Sequence, residues 1–397
     1  MSDKAYITPN ILKWARESAR MSPEVAAAKV LVTPEKLLEW EDEKSSMQPT
    51  ISQAEKLAKA YRRPFAIFFL PEIPRDFQPL QDFRRPKAKP LSTASIFIIR
   101  EIQQKQAWIR DMFEDNNEQT LPFVGRFSIK NNPVQVANDI LKTLNINPAN
   151  YITSNPVKEW INKAEANGIF ISRTSFIHSH LKLDSDELQG FTIADSYAPF
   201  VFINSDDWDA PLLFSLVHEL AHIWIAESGV SNEIEPELKH KDKLHPVELF
   251  CNEVAANALM PAQLMRSFDT SVFDSQNGVF MAAKNIGVSS FAFLVRAFNL
   301  QMISPDKYRR MKIDADNEFK AFLLREAEKE AAKKEKQKDK KKSGPNPYLL
   351  LLNKNSRLFT QIVIDAFRGG TIQPSQASSL LNTRVNNFSK FETFIYA

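Results

Sequence analysis

The sequence predicts a mainly helical α+β protein, with helices toward both ends of the chain and one small β-sheet in between. Three observations carry that prediction. Apolar residues recur at helical spacing through most of the chain, often behind a Ser-Pro or Thr-Pro start. Short β-rich runs are confined to residues 169–203. Soon after them, Phe214–Glu227 (FSLVHELAHIWIAE) is apolar nearly all round, the mark of a buried helix, yet it holds His218, Glu219 and His222.

Taken in order, the first segment reads as four short helices. Asn10–Arg20 follows Pro9, and Ser22-Pro23-Glu24 starts a second helix that runs to about Val30. Thr33-Pro34-Glu35 repeats the device and opens a third through Trp40; Ile51–Tyr61 carries an apolar stripe. The three-residue break between the second and third is the spacing of a helix-turn-helix. The third helix, where base-reading side chains would sit, offers Glu35, Glu39, Glu41, Asp42 and Glu43 against Lys36 alone. Phosphates would repel that face, so DNA is not the favoured partner and protein docking is.

The stretch 62–91 is proline-dense and reads as a linker; within it, Phe65–Leu70 is expected to pack under a domain. Helices are expected over Thr93–Glu114, Val134–Leu144 and Pro156–Ala166. After Gly168 the pattern changes to strands at Ile169–Arg173, Leu188–Ile193 and Phe200–Ile203, the last offering an edge for an extended peptide to pair along. Beyond the His218 helix come a polar loop, Ser228–Lys243, a helix from about Pro246 to Met260, and a helix-turn-helix rhythm over Ala282–Phe298. Glu318–Lys342 begins as a helix and dissolves into a Lys-rich tether, and the final residues give a helical appendage. The resulting plan is 1–70, a linker at 71–91, 92–325, a tether at 326–344, and 345–397.

Composition narrows the function classes. With 43% hydrophobic and 25% charged residues the chain is ordinary globular protein, and its 397 residues suffice for several domains. The start MSDKAYITPN has no apolar signal region and no run of about 18 apolar residues occurs, so a cytoplasmic protein without a membrane partner is expected. The lone Cys251 rules out an internal disulfide and a Cys-based zinc finger. The net charge of +3 is uneven: Arg325–Lys342 holds nine Lys/Arg against five Asp/Glu, so the remainder sums to −1 and gives no general affinity for nucleic acid.

His218, Glu219 and His222 form H-E-x-x-H. On a helix the two imidazoles sit one turn apart on one face and can reach one cation, while the adjacent Glu can hold a water the cation polarises. Zinc is the expected ion, and two histidines leave it one protein ligand short. His240 and His245 lie in a Lys-rich polar stretch, and the glutamates at 233, 235 and 237 in a polar loop. Glu248 is better placed, near the start of PVELFCNEVAANALM, where Cys251, Asn252 and Ala255 on the same face are small or neutral. Asn252, four residues on, can hydrogen-bond a ligand or the catalytic residue. Glu253 on the same helix is a rival that periodicity does not remove, and Cys251 reads as packing.

HELAH in an apolar helix followed by E-x-x-C-N-x-V-A-A-N-A-L-M-P at Glu248–Pro261 resembles the ImmA/IrrE metallopeptidases. Cys251 and Val254 stand where that family usually has Ala and Phe. GFTIADSYAPFVFINS upstream, QDFRR at Gln81–Arg85 and the front helices, which resemble an XRE-like repressor domain, extend the likeness over most of the chain. The resemblance implies a zincin-like domain in which His218, His222 and Glu248 bind zinc and Glu219 is the general base. It also implies a protein substrate, such as a helix-turn-helix transcriptional repressor or an antitoxin, cut at one site. The competing expectation is a DNA-binding regulator whose metal-binding domain senses rather than cleaves.

Overall fold

The structure is a computed structural model and describes residues 3–74, 79–83, 90–178, 181–205, 209–231, 245–336 and 346–396. The fold is mainly helical with a small mixed sheet, as the apolar spacing requires. It divides into two compact units: Met1–Pro79 with Lys89–Gln104 and Phe176–Leu183, and Leu80–Ala88 with Lys105–Ser175 and Asp184–Ala397. Among the described residues no single helix is long and apolar enough to cross a membrane.

The first unit holds α1 (Pro9–Ser18), α2 (Pro23–Val30), α3 (Pro34–Trp40) and α4 (Ile51–Tyr61). Their starts follow from local chemistry. The hydroxyls of Ser22, Thr33 and Thr50 each accept a hydrogen bond from the backbone N–H three residues on, and the Gln53 side chain accepts one in return from Thr50 N–H at 2.9 Å. Prolines at the first helical position of α2 and α3 fit because that N–H would be unpaired anyway. Ile11, Leu12, Leu37, Trp40, Leu57 and Tyr61 close the core. Within it Arg16 makes a two-pronged pair with Glu41, both bonds at 2.8 Å. Phe65–Phe69 forms a single 3-10 turn with Phe68 buried beneath it. A long helix, α5 (Thr93–Asp115), begins in this unit and ends in the second.

In the second unit, α6 (Pro133–Leu144) and α7 (Pro156–Ala166) precede a sheet built from β1 (Gln81–Asp82), β2 (Phe170–Thr174), β5 (Gly190–Ile193), β6 (Phe200–Asn204) and β7 (Gly229–Ser231). The strands between β2 and β5 in sequence, β3 (Phe176–His178) and β4 (Leu181–Lys182), fall in the first unit and pair with each other in a separate two-stranded sheet. The strand order is β1-β7-β5-β6-β2, parallel at both outer pairings and antiparallel within. Helix α8 (Asp209–Trp224) packs on β5 and β6 and against α6, α7 and α9 (Pro246–Leu259). Surrounded on all sides, α8 must be apolar all round, which explains its sequence. Next come α10 (Ala262–Arg266), α11 (Gln276–Ile286), α12 (Ser290–Asn299) and α13 (Pro305–Lys336), the last continuing as helix well into the Lys-rich run. Residues 337–345 of that run lie outside the described residues.

Three expectations are corrected. The FVFI segment is not an edge: β6 lies between β5 and β2 with every residue buried. Apolar alternation identifies a strand but not its neighbours, and this one is flanked on both sides. The expected polar loop Ser228–Lys243 contains a buried strand, β7, at Gly229–Ser231; residues 232–244 lie outside the described residues. The linker likewise supplies a strand, β1.

The last helices are α14 (Pro347–Asn355), α15 (Arg357–Arg368), α16 (Pro374–Leu381) and α17 (Phe388–Ile395). They are integral to the second unit. Ser172 Oγ donates to Lys354 O, and Arg173 Nη2 donates to Asn353 Oδ1 at 3.2 Å. Neighbouring strand residues point to opposite faces, so a helix reached by both lies along the outer edge of β2. Glu165 on α7 fixes the junction: its Oε1 accepts from Ser356 Oγ at 2.6 Å, Arg357 N at 3.0 Å and Leu358 N at 3.3 Å. A carboxylate at a helix start satisfies N–H groups that have no partner within the helix. Glu165→Ala would leave the buried Ser356 hydroxyl and the partly buried N–H groups of Arg357 and Leu358 without this acceptor. It is expected to cost roughly 2–4 kcal/mol in urea unfolding, with Glu165→Gln, which keeps an acceptor oxygen, costing less. Equal losses for the two variants would show that the hydrogen bonds contribute little.

Candidate metal centre

Helices α8 and α9 bring the site together because each presents small residues to the other. Ala221 on α8 and Cys251, Ala255 and Ala258 on α9 are fully buried. His218, Glu219 and His222 are inaccessible to solvent, and Glu248 and Asn252 nearly so. His218 Nε2 stands 3.2 Å from His222 Nε2 and 3.2 Å from Glu248 Oε2, while His222 Nε2 stands 3.3 Å from Glu248 Oε1. A divalent ion held tetrahedrally at about 2.0–2.1 Å separates its donor atoms by about 3.3–3.4 Å. The three groups therefore already have the spacing of ligands around one ion.

The proton arrangement points the same way. Asn252 Oδ1 lies 2.9 Å from His218 Nδ1, which fixes the proton on Nδ1 and turns the Nε2 lone pair to the centre. His222 Nδ1 and Glu248 Oε2 are buried with no hydrogen-bond partner among the described residues. Burial pushes the Glu248 carboxyl up, but His218 and His222 more than offset this and hold it well below the usual carboxylate range. An anionic carboxylate packed against two imidazoles in a dry interior needs positive charge beside it, either a proton on an imidazole or a bound cation.

Cys251 Sγ also lies within 4.8 Å of nitrogens of His218 and His222. That limit is much wider than the edge of a ligand tetrahedron, and burial pushes the thiol well up, so the Glu248 oxygens are the better donors. Of the other candidates, Glu253 and His245 are among the described residues. Glu253 is exposed. His245 is exposed and caps α9, its Nδ1 accepting from Val247 N at 3.3 Å. His240 and the glutamates at 233, 235 and 237 lie outside the described residues.

The sheet holds the two carboxylates. Thr192 Oγ1 donates to Glu219 Oε2 at 2.6 Å, and Ser231 Oγ donates to Glu248 Oε1 at 3.2 Å. Glu219 Oε1 is buried with no hydrogen-bond partner among the described residues. Gly190 makes room for it, since a Cβ there would stand 2.6 Å from Oε1. Burial pushes the Glu219 carboxyl up to about 7 against the pull of His222 and Thr192. Sequence reasoning missed Thr192, Ser231, Gly190 and Phe83, whose ring stacks on His222. Thr192 had one usable signal, a hydroxyl inside an otherwise apolar strand; Ser231 had none.

A stability test follows for the metal-free chain. The folded carboxyl of Glu219 keeps its proton up to about 7, whereas the unfolded one releases it near 4.5. The folded state thus binds the extra proton, and its contribution is complete below 4.5 and lost as pH rises through about 7. The loss amounts to roughly 3 kcal/mol. Glu248 shifts in the opposite direction, so its window lies below 4.5 and does not overlap. Urea unfolding of metal-free Glu219→Gln should gain on the parent at pH 8 but not at pH 4.5. An equal difference at both values would show Glu219 ionising normally.

No curated protein matches the chain. A family comparison does match part of it: residues 164–298 fit the M78 peptidase family, described as the IrrE N-terminal-like domain. That span runs from the end of α7 through α12 and includes both α8 and α9, so the segment that builds this centre is similar to a family of metallopeptidase domains.

Proposed function

We propose that the protein is a zinc-dependent endopeptidase of narrow specificity that hydrolyses a peptide bond in a protein substrate. The observation that carries this reading is the triangle of His218, His222 and Glu248 donor atoms at 3.2–3.3 Å, with the adjacent Glu219 buried and its Oε1 without a hydrogen-bond partner among the described residues. His218 Nε2, His222 Nε2 and the Glu248 carboxylate would hold the ion, which supplies Lewis acidity for the scissile carbonyl and for water. Asn252 keeps the His218 proton on Nδ1, and Ser231 keeps one Glu248 oxygen in place. Thr192 anchors one oxygen of Glu219 and leaves Oε1 to take the proton of the attacking water. Glu219, adjacent in sequence to the ligand His218, is the group that would accept that proton and pass it to the leaving amine.

The resemblance to ImmA/IrrE metallopeptidases supports a helix-turn-helix repressor or an antitoxin as the substrate. On the same resemblance, residues 1–70 form an XRE-like helix-turn-helix domain and residues 92–325 a zincin-like one. The exposed Glu35 and Glu39 of α3 favour protein docking over DNA contact for the first. The opposing reading, a DNA-binding regulator that senses metal, predicts tight DNA binding that weakens steeply as salt rises. The acidic face predicts no measurable binding at about 150 mM salt.

With the substrate found as a protein shortened when this chain is expressed, Glu219→Gln should keep its zinc and lose cleavage by about 100-fold or more. Undiminished cleavage would show that Glu219 is not the general base. For the third ligand, Glu248→Ala should lose zinc on dialysis while Glu253→Ala keeps it, and the reverse result would reassign the site.

A further inference from the structure

The two histidines of the centre are not held alike. His218 is oriented by a hydrogen bond from Nδ1 to Asn252 Oδ1 at 2.9 Å. His222 Nδ1 is buried without a hydrogen-bond partner among the described residues. A metal-binding imidazole is ordinarily fixed by what its second nitrogen donates to, and no described residue gives His222 that restraint. What lies against its face is a ring: Phe83 stacks on His222 with centroids 5.5 Å apart and planes 16° from parallel.

Phe83 is itself held in a built slot. It is 1% exposed, and its backbone N–H donates to Val230 O at 3.1 Å, extending the β1–β7 pairing by one residue. It also meets the His245 ring, with centroids 4.9 Å apart. Gly229, which pairs with Gln81 across β1 and β7, has no side chain to share that volume: a Cβ there would stand 2.1 Å from the Phe83 ring. The slot exists only where glycine faces phenylalanine.

We propose that Phe83, carried by β1, is a positioning residue for the metal ligand His222. It does with a flat apolar surface what Asn252 does for His218 with a hydrogen bond. Resting on the zinc reading, the proposal adds that metal affinity depends on the seating of a segment more than a hundred residues upstream of the histidines. With the backbone of His222 fixed in α8, its ring orientation is set by soft side-chain torsions, and the Phe83 face restricts the ring to the plane that aims Nε2 at the centre.

The test uses the full-length protein and reads zinc affinity by competition with a chelating dye. It also reads the visible absorption of the cobalt(II)-loaded protein, which reports ligand geometry. Phe83→Leu keeps apolar volume but removes the flat face; it should weaken zinc binding about 10–100-fold and shift the cobalt bands. Phe83→Tyr, with the ring retained, should restore both. Unchanged affinity and spectrum in Phe83→Leu, or equal loss in the Leu and Tyr variants, would reduce Phe83 to filling space. Should Phe83→Leu fail to fold, Gly229→Ala bars the ring from His222 while leaving Phe83 in the chain. It must then show the same loss, and parental affinity there overturns the proposal. A parent protein that binds no zinc overturns the metal reading and this one with it, whereas zinc bound equally by parent and variants overturns this one alone.

Discussion

Two imidazole nitrogens and a carboxylate meet at 3.2–3.3 Å in a region closed to solvent, and much of the architecture serves that encounter. Burying such groups is costly unless each has a partner, so the surrounding elements divide the work. Helix α8 supplies the histidines and must be covered on every side; small residues on α9 let Glu248 and Asn252 approach; β5 and β7 contribute one hydroxyl each, to Glu219 and Glu248. The sheet is thus more than a platform. Its two hydroxyls each occupy one carboxylate oxygen, and the other oxygen of each carboxylate has no hydrogen-bond partner among the described residues.

Much of this was legible in the residues. Ser22-Pro23, Thr33-Pro34 and Thr50 announced helix starts through side-chain capping, a local effect that sequence shows directly. H-E-x-x-H announced a shared face for the same reason. Glu248 was harder, because Glu253 on the same helix has equal claim until the direction of α9 is known; the structure buries Glu248 and exposes Glu253. What could not be read was set by distant partners. Gly229–Ser231 is too short and its neighbours too polar to register as a strand, and it exists because β5 and β1 pair with it. The position of FVFI inside the sheet was invisible for the same reason.

Phe83 and Gly229 show a second kind of illegibility. Neither is unusual alone, an aromatic in a proline-rich stretch and a glycine after a helix. Their meaning lies in a pairing across about 150 positions of chain in which the absence of one side chain creates room for the other.

The terminal helices have a consequence for how the molecule is made. The backbone of Lys354 that meets β2 lies 182 residues downstream of Ser172. On the ribosome the outer rim of the sheet emerges long before the helix that seals it, and a bare strand rim is an invitation to neighbouring nascent chains. A copy cut short before α14 would carry every residue of the candidate metal centre and still be a sticky, poorly behaved protein.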